Sequence, residues 1–415
     1  MPISPIPTWL ARGYILLFAL LPWSAEWSFG AWTLQFPSEP LIVLLGLGLC
    51  GVLAKEPLKY GRTLLDNRLF LWTGLWMVWM ALSAVFSSMP LVSWKYWVAE
   101  VGQWWVFAAG IALFPGLWRK VIPVYAVSMG GMVLYTLGHH ALYHFRPDQS
   151  LLAPMPFFPD HTLYAAVLAL LLPWLFWYGK RRQQSFLLVL YALGGWLAYC
   201  RAATISVGLE TLAFVGLYFQ PYRRWFVWAV LVLLGTVFLF RAPLRAAMER
   251  TLAGDVSIRE RVNRYSCATR MAIDRPWTGF GPGTFQFQYF RYQRPADMTR
   301  ISVQEPLPGR NPATYGRGGG AHSEYWQTLA ETGWLGLLLY SAWVFAFFRI
   351  ALGGFLRAEN KENQRVLLLC LLSFLSFTLH GLVNNMLHDG RVAALVWGQA
   401  ALLHSLIVAG RAFKV

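Results

Sequence analysis

The chain has 415 residues, of which 57% are hydrophobic and only 13% charged. A soluble domain carries about 25% charged residues, so this composition, with 22 Trp and 28 Phe, excludes an ordinary soluble protein and predicts a polytopic membrane protein. The net charge of +16 does not mark a nucleic-acid binder, because the basic residues fall between apolar runs, where they act as orientation signals. The four cysteines show no paired spacing for a zinc site or a disulfide framework.

A spanning helix needs about 20 mostly apolar residues, and the hydropathy pattern predicts about twelve such helices. In chain order they lie near 12–32, 38–54, 68–87, 97–117, 121–141, 161–179, 184–200, 203–220, 224–240, 325–348, 365–384 and 391–410. The first follows Arg12 without a convincing small-residue cleavage site and reads as an uncleaved span. Basic clusters follow every even span: Lys55, Lys59 and Arg62; Arg119 and Lys120; Lys180, Arg181 and Arg182; Arg223 and Arg224; Arg357, Lys361 and Arg365; Arg411 and Lys414. Short basic loops stay in the cytoplasm, so twelve spans with both termini inside are self-consistent. The expected fold is an all-α polytopic membrane protein in three parts. Residues 1–240 hold spans one to nine, residues 241–324 form a long, partly helical outer loop, and residues 325–415 hold spans ten to twelve.

The outer stretch 241–321 contains thirteen arginines and no lysine. Arginine offers a planar fork that grips phosphate oxygens bidentately and keeps its charge; attraction to anionic lipid headgroups is the plainer reading. The stretch is helical in pattern up to Pro276 and loop-like from Gly279. Arg259, Arg261, Arg264 and Arg270 fall in the helical part. Arg261 and Arg264 share a helix face, whereas Arg270 points away unless the helix bends. Arg201 ends one apolar span and begins the next. An ionisable residue at that depth is a functional candidate, with snorkelling as the structural alternative. The turn-rich "GFGPG", 279–283, follows no strand and is not a dinucleotide fingerprint. Its tight turns also allow close approach of backbone to a phosphate.

His322 follows three glycines where the polar stretch meets an apolar helix. At a helix cap or first turn, unpaired N–H groups disfavour imidazolium. Nearby arginines push the same way and Glu324 pushes back, so the sequence leaves the net sign open. A neutral imidazole there is a usable general base. Asp389, beside His388, is expected outside, either orienting His322 or an acceptor hydroxyl, or paired with Arg391. Asp160 and His161 invite the same two readings. Trp326 and Leu329 read as helix packing rather than sugar platforms. No outer Asp-x-Asp or His-x-x-x-His occurs, so neither a metal nor another cofactor is predicted. Glu100 and Glu210 are the main charges within spans, and Glu210 reads as a structural hydrogen-bond partner.

His322 and Ser323 are followed by nine residues, then Gly333, two residues, and Gly336. This pattern resembles the signature of the O-antigen ligase family. The stretch "RERVNRYSCATRMAIDRPWTGFGPGTF" looks like that family's arginine, aromatic, proline and glycine segment, with Arg261 and Tyr265 in the first two places. Arg201 in "CRAATISV" is similar to the family's arginine after a mid-chain span. The resemblance implies a GT-C-like, metal-independent, inverting glycosyltransferase of the bacterial inner membrane, with its site facing the periplasm. The implied donor is O-antigen on undecaprenyl diphosphate, and the implied acceptor is a sugar hydroxyl of lipid A-core. Arg201 with one or more of Arg261, Arg264 and Arg270 would hold the diphosphate. His322 would be the base, and Asp389 a possible support. O-antigen polymerases share the superfamily and remain an alternative that differs only in acceptor. A transporter of lipid-linked glycan would place ionisable groups at mid-membrane and pair half-helices, which suits these span interiors poorly.

Overall fold

The computed structural model describes residues 6–29, 32–176, 181–219, 228, 255–299, 302 and 319–412. The expected ninth span, 224–240, lies outside the described residues apart from Trp228, as does all of 303–318.

Helix α1 (Thr8–Leu20) gives way to a 3₁₀ turn (Leu21–Trp23) and then to a hairpin of β1 (Ala25–Phe29) and β2 (Trp32–Phe36). The strands are antiparallel, with Ala25 opposite Phe36 and Trp27 opposite Leu34. This corrects the expected first span 12–32. Pro22 cannot supply a backbone N–H to continue the helix. Beyond it, Trp27, Phe29, Trp32, Leu34 and Phe36 alternate with smaller or polar residues in the two-residue period of a strand.

The remaining helices are α2 (Ser38–Lys55), α3 (Pro57–Leu65), α4 (Arg68–Val85), α5 (Pro90–Trp104), α6 (Trp118–Ala141), α7 (His161–Leu175), α8 (Arg181–Leu197) and α9 (Arg201–Tyr218). They continue with α10 (Val256–Asp274), α11 (Phe285–Gln288), α12 (Glu324–Arg357), α13 (Lys361–Val383) and α14 (Gly390–Ala412). Helix α5 runs on through a π turn, Trp105–Ala109, to Leu113. Starts are marked by Asx caps that satisfy the first N–H groups: Asn67 accepts from Phe70, Asp160 from Thr162 and Leu163, Asp255 from Ser257 and Ile258, and Asn360 from Glu362 and Asn363.

Among the described residues, six helices are long and apolar enough to cross a membrane: α2, α4, α6 with the preceding 3₁₀ turn, α12, α13 and α14. Shorter apolar helices lie at Thr8–Trp23 and His161–Leu175. The chain is a mostly helical, multi-pass membrane protein. Outward-facing Val43, Leu44 and Leu47 of α2 and Leu75 and Val78 of α4 are exposed, the arrangement expected of lipid-facing positions. Inside, Trp76, Tyr340, Trp343 and Trp397 meet in one aromatic group that joins α4, α12 and α14. Phe347 stacks on Phe374 between α12 and α13. Helix α9 lies against α13 and α7, and α10 packs on α12. At one end of the bundle Arg119 pairs with Glu362 at 2.7 Å, which brings two of the expected inner loops together.

Candidate active site

The site is built where α10 and the glycine turns meet the start of α12. Gly333, with φ 72° and ψ −173°, breaks α12 into a short first segment and a long apolar one. A β-carbon there would collide with the Trp277 carbonyl, and the Trp334 N–H donates to the Pro276 carbonyl at 2.8 Å. Gly279, Gly281 and Gly283 also have positive φ. Phe280 N–H donates to the Ala330 carbonyl at 3.1 Å and Gly281 N–H to the Glu331 carbonyl at 2.8 Å. The Glu331 carboxylate accepts from the N–H groups of Gly283 and Phe285, each at 2.9 Å. The two glycine motifs therefore grip each other. Those N–H groups are bonded to the α12 segment, so the turns bring backbone to backbone rather than to a phosphate. Gln327 extends the lock, donating to Glu331 at 2.6 Å and accepting from the Ala321 N–H at 2.7 Å.

His322 comes next. The N-cap of α12 is Ser323, so His322 sits one residue ahead of the cap rather than at the cap or in the first turn. Its φ of 54° lies in the left-handed region, which is uncommon for a residue with a side chain. Both of its backbone groups are held. The N–H donates to Asn385 Oδ1 at 3.1 Å, and the carbonyl accepts from Tyr265 Oη at 3.0 Å. Tyr265 Oη also lies 3.1 Å from the Leu382 carbonyl, and Ser323 Oγ donates to the Gly381 carbonyl at 3.0 Å. The Tyr265 ring stacks on Trp326, with centroids 5.8 Å apart.

Among the described residues the His322 imidazole has no hydrogen-bond partner, while its backbone is fixed on both sides. Burial, then the charges of Arg264 and Arg261, lower its pKa from 6.5 to about 3, with Glu260 opposing. The sign left open by the sequence is thus set toward the neutral imidazole. Glu324, expected to oppose that shift, is turned instead to the loop after α13, where it accepts from the N–H groups of Met386 and Leu387 at 2.6 and 2.7 Å.

The four arginines have separate surroundings. Arg264 is buried, donates to Glu260 at 2.9 Å and to the Gly320 carbonyl at 2.7 Å, and lies over the Tyr289 ring. Glu260 is held in turn by Thr299 at 2.7 Å and by Ser302. Arg270 is tied to the Tyr292 carbonyl at 2.6 Å and to Asp297 at 2.7 Å, away from His322. Arg201 forms a largely exposed pair with Asp255 at 2.6 Å, and that guanidinium holds the Asp255 carboxyl below its ordinary range. Arg261 donates to Ser257 at 3.1 Å, and among the described residues its buried Nε has no partner. Arg261 also lies close enough to act electrostatically on His322, Tyr265, Cys200 and His161. It therefore links α10 to His322, to the start of α7, and to the α8–α9 turn that carries Arg201.

Asp389 is placed elsewhere. It is buried, accepts from Arg391 side chain and backbone at 2.8 and 2.9 Å, and accepts from Gln35 at 3.3 Å. Arg391 continues to the carbonyls of Leu21, Ser24 and Phe157. The pair pins the hairpin and the loop before α7 to the start of α14, and nothing in it reaches His322. Asp160 caps α7, while His161 Nδ1 is buried without a partner among the described residues. Among the described residues no group of three or more His, Cys, Asp or Glu side chains is arranged to hold a metal ion. Tyr265, Asn385 and Glu260 were not picked out from the sequence as parts of the His322 environment. The position of Tyr265 four residues after Arg261 was the one available signal.

A family model described as O-antigen ligase matches residues 186–341. This segment is an O-antigen ligase family domain. It contains Arg201, Arg261, Arg264, Arg270, His322 and both glycine motifs. His161, Asn385 and Asp389 lie outside that segment, so Asn385, which holds the His322 N–H, comes from the loop after α13 that flanks it. No curated protein matches the chain.

Proposed function

We propose that the protein transfers an O-antigen glycan from undecaprenyl diphosphate to a sugar hydroxyl of lipid A-core, at the periplasmic face of the bacterial inner membrane. The observation that carries this reading is a neutral His322 held rigidly beside Arg261, whose Nε has no partner among the described residues. His322 accepts the proton of the acceptor hydroxyl as that oxygen attacks the anomeric carbon. The bond from that carbon to the phosphate oxygen breaks, and the electron pair leaves with the diphosphate. A single displacement inverts the anomeric centre. Arg261 and Arg201 stabilise the departing charge without need of a metal. The exposed Arg201–Asp255 pair exchanges readily for a phosphate because such pairs are worth little in water. Arg264 and Arg270, already tied to carboxylates, shape the site. A pKa of about 3 makes a weak base, but the donor's negative charge beside Arg261 and Arg264 offsets their push and raises it when the donor is bound.

In this reading the fold is a GT-C-like bundle of twelve spans with both termini cytoplasmic. A cysteine at Val262, exposed on α10, should label from outside the inner membrane and one at Asn360 should not. The decisive assay mixes purified protein with undecaprenyl-diphosphate-linked glycan and lipid A-core, with and without chelator. Transfer to lipid A-core that persists in chelator and is lost in His322→Ala supports the proposal. Elongation of the lipid-linked glycan with no transfer to lipid A-core would make it a polymerase, and loss of transfer in chelator would require a metal.

A further inference from the structure

Ile273 lies in the last turn of α10 and Trp277 in the turn that follows, yet neither is buried: Ile273 is 72% exposed and Trp277 74%. Large apolar side chains displayed together on a well-held part of a structure mark a contact surface. This turn is well held. The Pro276 carbonyl accepts from the Trp334 N–H at 2.8 Å, and the Trp277 carbonyl sits against Gly333 at the break in α12. Arg275 reaches the Phe86 carbonyl at 3.5 Å, just past the end of α4. The Phe280 carbonyl accepts from the Ser88 N–H and from the hydroxyls of Ser87 and Ser88, each at 3.0 Å. The turn is therefore bonded to α4 and α12 where both leave their apolar stretches.

Both of those helices carry exposed apolar rows that run up to the turn. On α4 the row is Leu75, Val78, Leu82 and Val85, and Phe86 continues it. Steps of three and four residues keep such a row on one helix face. On α12 it is Trp334, Leu338, Phe345 and Leu352. Both helices are long and apolar enough to cross a membrane, so these rows face lipid. Ile273 and Trp277 extend the same surface onto α10, a helix too charged to cross, with Arg259, Glu260, Arg261, Arg264 and Arg270 along it.

We propose that Ile273 and Trp277 insert into the bilayer leaflet on the His322 side, at the boundary of headgroups and hydrocarbon, and so dock the end of α10 on the membrane. The continuity of the two apolar rows with this turn names lipid as the occupant. A tryptophan ring suits that depth. Arg275, whose guanidinium lies over the Phe280 ring at 4.8 Å, sets a cation at the level of the lipid phosphates. Docking gives α10 a fixed height above the hydrocarbon, and α10 carries both Arg261 and Tyr265, the residue that bridges to His322. The docking does not depend on the transfer reaction.

The test is site-directed spin labelling in nanodiscs of phosphatidylethanolamine and phosphatidylglycerol, one chain per disc. Cys50, the exposed one of the four native cysteines, is first changed to Ser. Labels are then placed in Ile273→Cys and Trp277→Cys, in Leu338→Cys as a lipid reference, and in Arg294→Cys as an aqueous reference. The bonds that hold the turn come from backbone carbonyls and Arg275, so the two new cysteines leave it in place. Power saturation is measured with oxygen, which concentrates in hydrocarbon, and with a water-soluble nickel chelate. At 273 and 277 oxygen accessibility should exceed nickel accessibility, as at 338, with the order reversed at 294. The computed depth should be about 5–10 Å into the headgroup and acyl boundary, and shallower than at 338. Nickel accessibility at 273 and 277 equal to that at 294 would overturn the docking and leave the turn in water. Labels shielded from both reagents would overturn it as well, because protein would then cover the surface.

Discussion

The phenolic oxygen of Tyr265 lies 3.0 Å from the carbonyl oxygen of His322 and 3.1 Å from that of Leu382. One hydroxyl on α10 therefore bridges the residue before α12 and the end of α13. With Asn385 on the His322 N–H, it holds a histidine in a left-handed conformation that costs about 1–3 kcal/mol when imposed on a residue other than glycine. Removing the hydroxyl while keeping the ring should free that backbone. Tyr265→Phe is expected to lower kcat about tenfold with donor affinity unchanged. Steady-state transfer kinetics with donor binding measured in parallel check this. Wild-type kcat would show that the bridge does not set the imidazole.

Arg261 and Arg264 are three residues apart and should fail in different ways. Arg261→Lys keeps the charge but loses the fork, and is expected to weaken donor binding about tenfold with unchanged thermal stability. Arg264 is 6% exposed and its partner Glu260 3%, so Arg264→Ala strands a buried carboxylate. That loss should destabilise the protein by about 3–5 kcal/mol. Thermal unfolding and donor titration, measured on both variants, separate the two roles. Identical behaviour of the pair in both measurements would contradict the assignment.

The pH dependence follows from the charges around His322. In the free protein burial, Arg264 and Arg261 hold its pKa at about 3, and a general base fails as pH falls through its pKa. Bound diphosphate places negative charge beside the same arginines and raises that pKa. The acid limb of kcat, which reports the donor complex, should therefore lie at higher pH than the acid limb of kcat/KM, which reports the free enzyme. Rate profiles at saturating and limiting donor test this. Coincident limbs would mean that the diphosphate does not bind next to the histidine.

Gly333 and Gly353 lie on the same helix and should respond oppositely to a methyl group. At Gly333, with φ 72°, a β-carbon would meet the Trp277 carbonyl, and Gly333→Ala is expected to cost more than about 2 kcal/mol and to loosen the His322 segment. At Gly353 a β-carbon meets open space, so Gly353→Ala should be neutral or stabilising by up to about 1 kcal/mol. Melting temperatures of the two variants decide it. An unaffected Gly333→Ala would mean that the kink is not held by the Pro276–Trp277 contact.

The membrane character, the six described helices long and apolar enough to cross a membrane, and the helix ahead of Pro276 were legible from composition, period and spacing. These are local properties. Apolar length marks a helix that crosses lipid, and a proline stops it. The hairpin at 25–36 was not legible, because an apolar run reads alike as helix or strand until Pro22 and the two-residue alternation are weighed together. The roles of charged side chains were settled by the partners that folding brought to them, some a turn away and others distant in sequence. Glu260 and Asp297 took up Arg264 and Arg270, Arg391 took up Asp389, and the loop after α13 took up Glu324. The sequence by itself determined which chemical groups were present and on which kind of element. Only the tertiary structure decided which charges are neutralised, because a buried charge is stable only where folding supplies its counter-charge or hydrogen bonds.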